Sequence, residues 1–353
     1  MIRPIYIQGI GTITIQPEEK NGVLHGVVSY DTVTIPAVSP DYKALIPALQ
    51  LRRMNKSMRM ALYASKTAMQ EAGITHIDAV ITGTGLGCLT DSERFVQAMI
   101  ENEEEFLNPT SFIQATHNMA AATIALALDC KGYNMTYVHN ATSMEAATLD
   151  SMLYLAEHPT ATVLLGGVDE LGLRTPQFWG HAGYLDIKQP RIPTILDLPG
   201  TPGEVAGEGA AFFAVSQNLN PNSLATIRAI RTQHEVADAQ VWVNRFLTDH
   251  QLGIDNIDAI VLGYNGDNRY DPIYTALSEA MFPNKSRLAY KHLLGEYDAV
   301  VASGMALVAR ILANQHIPPA LKLNQVEPLR LKRILLYNQR RGKNHSLVLM
   351  EAA

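Results

Sequence analysis

The chain has 353 residues, 47% of them hydrophobic and 18% charged, which is a globular composition and excludes a disordered tail, a collagen or a coiled-coil rod. Lys plus Arg number 28 and Asp plus Glu 34, a net charge of −6 that argues against a broad electrostatic grip on nucleic acid. Two cysteines, Cys88 and Cys130, cannot build a disulfide framework or a CxxC zinc site and suit a reducing cytoplasm. The opening run Met1 to Gly9 is too short for a signal peptide, and no stretch of about 18 apolar residues is long enough to span a bilayer.

In chain order, Ile5 to Gly11 reads as a strand, followed by a polar loop to about residue 50. Met54, Met58, Ala61, Leu62, Ala68, Met69 and Ala72 fall at helical spacing, which predicts a helix from Met54 to Ala72 with Gly73 as its C-cap. Asp78 to Thr82 then reads as a buried strand closed by the loop Gly83-Thr84-Gly85-Leu86-Gly87. Helix Ala115 to Leu128, strand Met135 to Val138, helix Ser143 to Glu157 and strand Ala161 to Leu165 follow. This alternation predicts a parallel or mixed sheet with helices on its faces. The glycine loop is GxGxG rather than GxGxxG and opens no clear helix, so a dinucleotide site is not expected there.

An internal repeat organises the rest. Residues 72–83 and 252–263 share six of twelve positions without a gap: Gly73/Gly253, Ile74/Ile254, Ile77/Ile257, Asp78/Asp258, Ala79/Ala259 and Gly83/Gly263. The offset of 180 residues is about half the chain and far too long for a solenoid. It predicts a duplicated α/β fold. The first half is expected over 1–217, with a cap or dimer insertion, and the second over 224–353. Turn residues Asn218 to Ser223 lie between them, and a strand from Ala225 to Ile230 opens the second.

Six motifs in order give this duplicated chain a family resemblance. They are Arg52-Arg53-Met54-Asn55 ("RRMD"), Gly83-Thr84-Gly85-Leu86-Gly87 ("GTGxGG") and Asn118-Met119-Ala120-Ala121 ("NMxA"). Gly166-Gly167-Val168-Asp169-Glu170 ("GGAE"), Gly203 to Ala211 ("GFVxGEGA") and His292-Leu293-Leu294-Gly295 ("GHLLG") complete the set. Together they resemble the β-ketoacyl-acyl carrier protein synthases. The resemblance implies a thiolase-like α/β fold, with two duplicated βαβαβ-type halves giving a five-layered αβαβα architecture. It also implies a second half shorter than is usual in the family.

The family uses a Cys nucleophile at a strand-to-helix elbow and two histidines. Alignment through Gly132 and Asn134 puts Ala141 at the nucleophile position, and a methyl group forms no thioester. The first histidine position falls on Gly263; the second is retained as His292. Arg287 replaces the family lysine five residues earlier, and Asn338 to Asn344, including Arg340, replaces the "FGFGGTN" gating loop. The resemblance therefore points to a non-condensing subunit like the chain-length factors, paired with a catalytic ketosynthase in a heterodimer or with itself. Such subunits serve acyl-carrier-protein-dependent fatty acid or polyketide synthases, including polyene-type systems. No cofactor is implied beyond the phosphopantetheine arm of the carrier, and no nucleic acid or membrane partner.

Residue by residue, Ala141, Gly263 and His292 mark the catalytic positions, and Ser143, Arg287, Asn338 and Arg340 are candidates for substrate contact. Arg52, Arg53, Lys56 and Arg59 form a basic face on the first helix that matches the family's carrier-docking region. Arg330, Lys332, Arg333, Arg340, Arg341 and Lys343 form a second basic cluster, either a solvated edge or a docking surface for an acidic carrier. Ser143 reads as a helix N-cap and Cys88 as a packed small residue. Two rivals stay open: an acyltransferase or decarboxylase of the same fold using His292, and a homodimeric acyl-binding protein.

Overall fold

The computed structural model describes residues 3–17, 26–188, 191–196 and 200–353. Part of the predicted polar loop, 18–25, and the first two residues of the chain lie outside them. The strands are β1 (Ile5–Ile13), β2 (Ala79–Gly83), β3 (Tyr133–Tyr137), β4 (Thr162–Asp169) and β5 (Gly209–Ser216), then β6 (Ala225–Gln233), β7 (Ala259–Leu262), β8 (Ser286–Ala289), β9 (Arg333–Arg340) and β10 (Lys343–Ala352). The first helices are α1 (Ala48–Leu51), α2 (Lys56–Ala72), α3 (Leu89–Glu101), α4 (Pro109–Gln114), α5 (Met119–Ala127) and α6 (Ser143–Glu157). They are followed by α7 (Thr175–His181), α8 (Ala239–Asp249), α9 (Asp271–Met281), α10 (Lys291–Leu294) and α11 (Val300–Asn314).

The ten strands are ordered β3-β2-β4-β5-β1-β6-β10-β9-β7-β8. Replacing β1 to β5 by β6 to β10 turns one half of that order into the other, read outward from the centre. Pairing directions match as well: β2 is parallel to β3 and β4, as β7 is to β8 and β9, and the inner pairs are antiparallel. The repeat found in sequence falls on β2 and β7, whose first residues, Ala79 and Ala259, are 180 apart. The halves join where β1 reaches β6 through Ile5↔Ile227, Tyr6↔Thr226 and Ile7↔Ala225. A register shift at Ile7/Gly9 accompanies that switch of partners.

Three apolar cores stack the layers. α2 and α5 pack on the outer face of the first half through Ala64, Ala68, Ala121 and Ile124 against Val80, Leu164 and Phe212. α6 and α11 form the middle layer, where Met144, Ala147, Val301 and Met305 meet Ile81, Leu165 and Phe213 of one half and Val261, Leu336 and Val348 of the other. α8 and α9 cover the second half through Val243, Phe246 and Leu277 against Ile260, Leu335 and Leu349. The result is the αβαβα order expected.

Local chemistry explains the boundaries. α2 begins two residues later than its apolar spacing predicts, because the Asn55 side chain accepts from the Met58 N–H and caps it. Gly73 ends it at φ 67°, the left-handed region that costs glycine least. The expected helix from Ala115 starts at Met119 instead, after the separate helix α4. The helix over 143–157 matches its sequence reading in both bounds.

Candidate functional site

β3 runs into a 3-10 turn, Asn140–Thr142, and then into α6, which is a strand-to-helix elbow. Ala141 sits on that turn, 2% exposed. Asn140 before it has φ 50°, a left-handed conformation that Asn tolerates better than most side chains. Ser143 is not the N-cap its sequence suggests; it lies inside the first turn of α6. Its Oγ accepts from the His139 N–H at 2.9 Å and lies 2.9 Å from the Thr84 carbonyl and 2.6 Å from that of Asn140. The hydroxyl, fully buried, is thus used up in holding the elbow shut. Gly83 lets α6 approach, since a Cβ there would stand 2.5 Å from the Ser143 carbonyl carbon.

Gly263 follows the end of β7, and the space a side chain would need there is occupied. A Cβ would lie 2.5 Å from Tyr274 Oη, 2.8 Å from Asn338 Oδ1 and 3.2 Å from Lys291 Cε. Lys291 Nζ donates to Glu296 at 2.7 Å in a pair whose side chains are 0% and 1% exposed. Asn265 Nδ2 donates to the same carboxylate at 2.8 Å, and Tyr290 Oη donates to Asn338 Oδ1 at 3.3 Å. His292, next to Lys291, has Nε2 2.9 Å from the Ala320 carbonyl. Arg287 is on β8 and Asn338 on β9, with β7 between them. Arg287 lines a cleft of about 410 Å³ with Tyr264, Asp271, Ser278 and Glu279. Asp271 holds the Gly266 N–H at 2.8 Å, and burial pushes its carboxyl up to about 7. Lys291 and Glu296 escaped the reading of the sequence. The available signal was a lysine where the "GHLLG" motif carries glycine.

The segment that replaces the gating loop is a tight hairpin. Arg341 and Gly342, at φ 54° and 72°, form the two-residue turn between β9 and β10. Arg340 pairs with Asp298 and with Glu204 at 3.1 Å. Arg341 pairs with Glu204 at 2.5 Å and lays its guanidinium 3.7 Å from the Tyr184 ring centroid. Asp298 neighbours Asp169, which accepts from Thr84 Oγ1 and the Gly85 N–H at 2.8 Å each and from the Ala299 N–H at 2.7 Å. Burial, and then the Asp298 charge, push Asp169 up to about 7 against those donors. The basic C-terminal cluster divides, with Arg330 and Lys332 exposed. Arg340 and Arg341 turn inward, Arg333 pairs with Glu351, and Lys343 pairs with Glu235.

The other basic face divides. Arg52 and Arg53 are exposed in the turn between α1 and α2, not on one helix with the rest. Lys56 pairs with the buried Glu208, and Arg59 Nη2 donates to the Leu51 carbonyl at 3.0 Å. Cys88 is fully buried at the start of α3, where loss of solvation pushes its thiol up to about 12. Its polar neighbours are Asn55 and Ser57 rather than elbow residues. Among the described residues no group of three His, Cys, Asp or Glu side chains is placed to hold a metal ion. No described helix is long and apolar enough to cross a membrane.

Comparison with known proteins bears on this arrangement. Over its whole length the chain superposes on the ishigamide ketosynthase/chain length factor, with TM-score 0.82, 17% identity and 100% of both chains covered. A beta-ketoacyl synthase from Burkholderia phymatum STM815 gives TM-score 0.81 at 16% identity, over 99% of this chain and 100% of that one. A ketosynthase (ApeO) in complex with its chain length factor (ApeC) from Xenorhabdus doucetiae gives 0.79 at 15% identity, over 99% and 98%. These likenesses establish a common fold. No curated protein matches the sequence at a significant level. The family model of the beta-ketoacyl synthase N-terminal domain matches residues 38–217, more than half of the 353, and the chain belongs to that family.

Proposed function

We propose that this chain is a non-condensing, chain-length-factor-like subunit of an acyl-carrier-protein-dependent fatty acid or polyketide synthase of polyene type. The observation that carries this reading is Ala141, a methyl group at a buried, intact elbow. Condensation by this family needs a thiolate to receive the acyl group, and removing a covalent nucleophile costs several orders of magnitude in rate. Neither Ser143, which is engaged by backbone, nor Cys88, whose thiol stays protonated, supplies a substitute. His292 is held at the Ala320 carbonyl, which speaks against a decarboxylase built on it.

The partner in this reading is a catalytic ketosynthase that joins at the free edge of β3. Among the described residues that strand ends the sheet and pairs only with β2. Around it Leu126 of α5, Met135 and Val138 of the strand region, and Leu149 and Leu153 of α6 are exposed. An open edge bordered by apolar side chains is a template for another chain. α3 and α4 add exposed Val96, Ile100, Phe112 and Ile113. The carrier protein and its phosphopantetheine arm then serve the partner, with the exposed Arg52 and Arg53 available to an acidic carrier.

Co-expression with a ketosynthase that retains its Cys and both His tests the reading. The two chains should co-purify as a heterodimer that elongates acyl carriers, and neither chain alone should do so. A stable self-dimer that never takes up the ketosynthase would favour a homodimeric acyl-binding protein instead.

A further inference from the structure

The corner of the interior at Gly263 is full. The separations a Cβ would make there, 2.5 Å to Tyr274 Oη and 2.8 Å to Asn338 Oδ1, are shorter than real Cβ contacts allow. What fills the corner is a closed polar set. Lys291 Nζ meets both Glu296 oxygens at 3.0 and 2.7 Å and stands 3.4 Å from the Gln339 carbonyl. Asn265 completes the Glu296 carboxylate, and Tyr274 Oη accepts from the Gln339 N–H at 2.9 Å. A lysine with its side chain wholly out of water persists only where its charge is paired and hydrogen-bonded, and Glu296 does both. The set borders the elbow helix: Glu145, four residues past Ala141, lies in the field of the Lys291 ammonium.

The sequence around these positions exchanges bulk. Position 263 is glycine where the motif has histidine, and position 291 is lysine where the motif has glycine. The Lys291 side chain has moved into the neighbourhood of the side chain lost at 263. We infer that Lys291 and Glu296 are positioning residues coupled to Gly263, and that they close this corner to an acyl thioester independently of the sulfur missing at 141. The chain is then blocked twice, once by chemistry at the elbow and once by volume beside it.

The inference builds on the partner reading, and its test separates the two. An Ala141→Cys variant, in complex with a ketosynthase, is incubated with octanoyl-pantetheine thioester and both chains are weighed intact. The octanoyl mass should appear on the ketosynthase and stay at background on this chain. An octanoyl adduct on the introduced thiol would overturn the inference and leave the pairing untouched; failure to co-purify would do the reverse. In the natural background, Gly263→His should lower the melting midpoint by several degrees, because three side chains hold its space. An unchanged midpoint would overturn the inference even if Ala141→Cys failed to fold.

Discussion

Glu145 carries its carboxyl on the first turn of α6 with almost no solvent contact, and burial pushes it up to about 7. In the unfolded chain it titrates near 4.5, so between those values the folded state binds more protons and stability falls as pH rises. The cost is absent below about pH 4.5 and complete above about pH 7. Glu145→Gln should therefore raise stability by on the order of 3 kcal/mol at pH 8 and leave it unchanged at pH 4. Denaturant melts at the two pH values check this; an equal gain at both would point to packing rather than titration. Cys88 gives a second residue-scale expectation. With its thiol near 12 and no exposed surface, it should resist iodoacetamide at pH 8 until the chain unfolds. Mass spectrometry with and without denaturant reads the difference. The losses at 141 and 263 were legible in sequence because absence needs no geometry. Lys291 and Glu296 were not, since nothing in Lys-His-Leu-Leu-Gly-Glu says that the ammonium folds back onto the carboxylate five residues on.

Two elements bear the strain of close packing. β1 lies on α2 through Gly9 and Gly11, and a Cβ on Gly11 would stand 2.0 Å from the Ala64 carbonyl oxygen. Gly11→Ala should cost about 1–3 kcal/mol through overpacking, measured as a lower urea midpoint with an unchanged slope. The β9–β10 hairpin is tied down by Arg340, whose loss would leave Asp298 with no guanidinium and Glu204 with one. Arg340→Met should destabilise by about 3–5 kcal/mol, the range for breaking a buried ion pair from one side. A neutral result would mean the pair is dispensable to the hairpin. At this scale sequence periodicity served best where a helix buries a full stripe, as α2 does through Met58, Leu62, Ala68 and Met69. It missed α3, although Phe95, Val96, Met99 and Ile100 keep helical spacing there; of that helix only Leu89 and Asp91 are buried. The hairpin tip misled for another reason: a run of Arg and Lys looks like a surface until Glu204, Asp298 and Tyr184 arrive from elsewhere in the chain.

The whole molecule is a duplication with one open end that matters. Both outer strands, β3 and β8, are edges, yet β8 is short and has no exposed large apolar side chain. β3 is bordered by Met135, Val138, Leu149 and Leu153. Met135→Lys and Leu153→Lys should each abolish uptake of a ketosynthase in size-exclusion chromatography while leaving the melting midpoint within about 2 °C, as is usual for surface substitutions. The duplication itself was readable from twelve residues, because a strand leaving a helix repeats its apolar order wherever it recurs. The joining of the halves through β1 and β6 was not, since it rests on three residue pairs and a register shift. The measurement that bears most directly on the account is the intact mass of each chain in a complex of this protein with an active ketosynthase, after incubation with acyl- and malonyl-carrier protein. An acyl adduct is expected on the ketosynthase, elongated product only when both chains are present, and no added mass on this chain. A stable acyl adduct on the natural chain would contradict a non-condensing role.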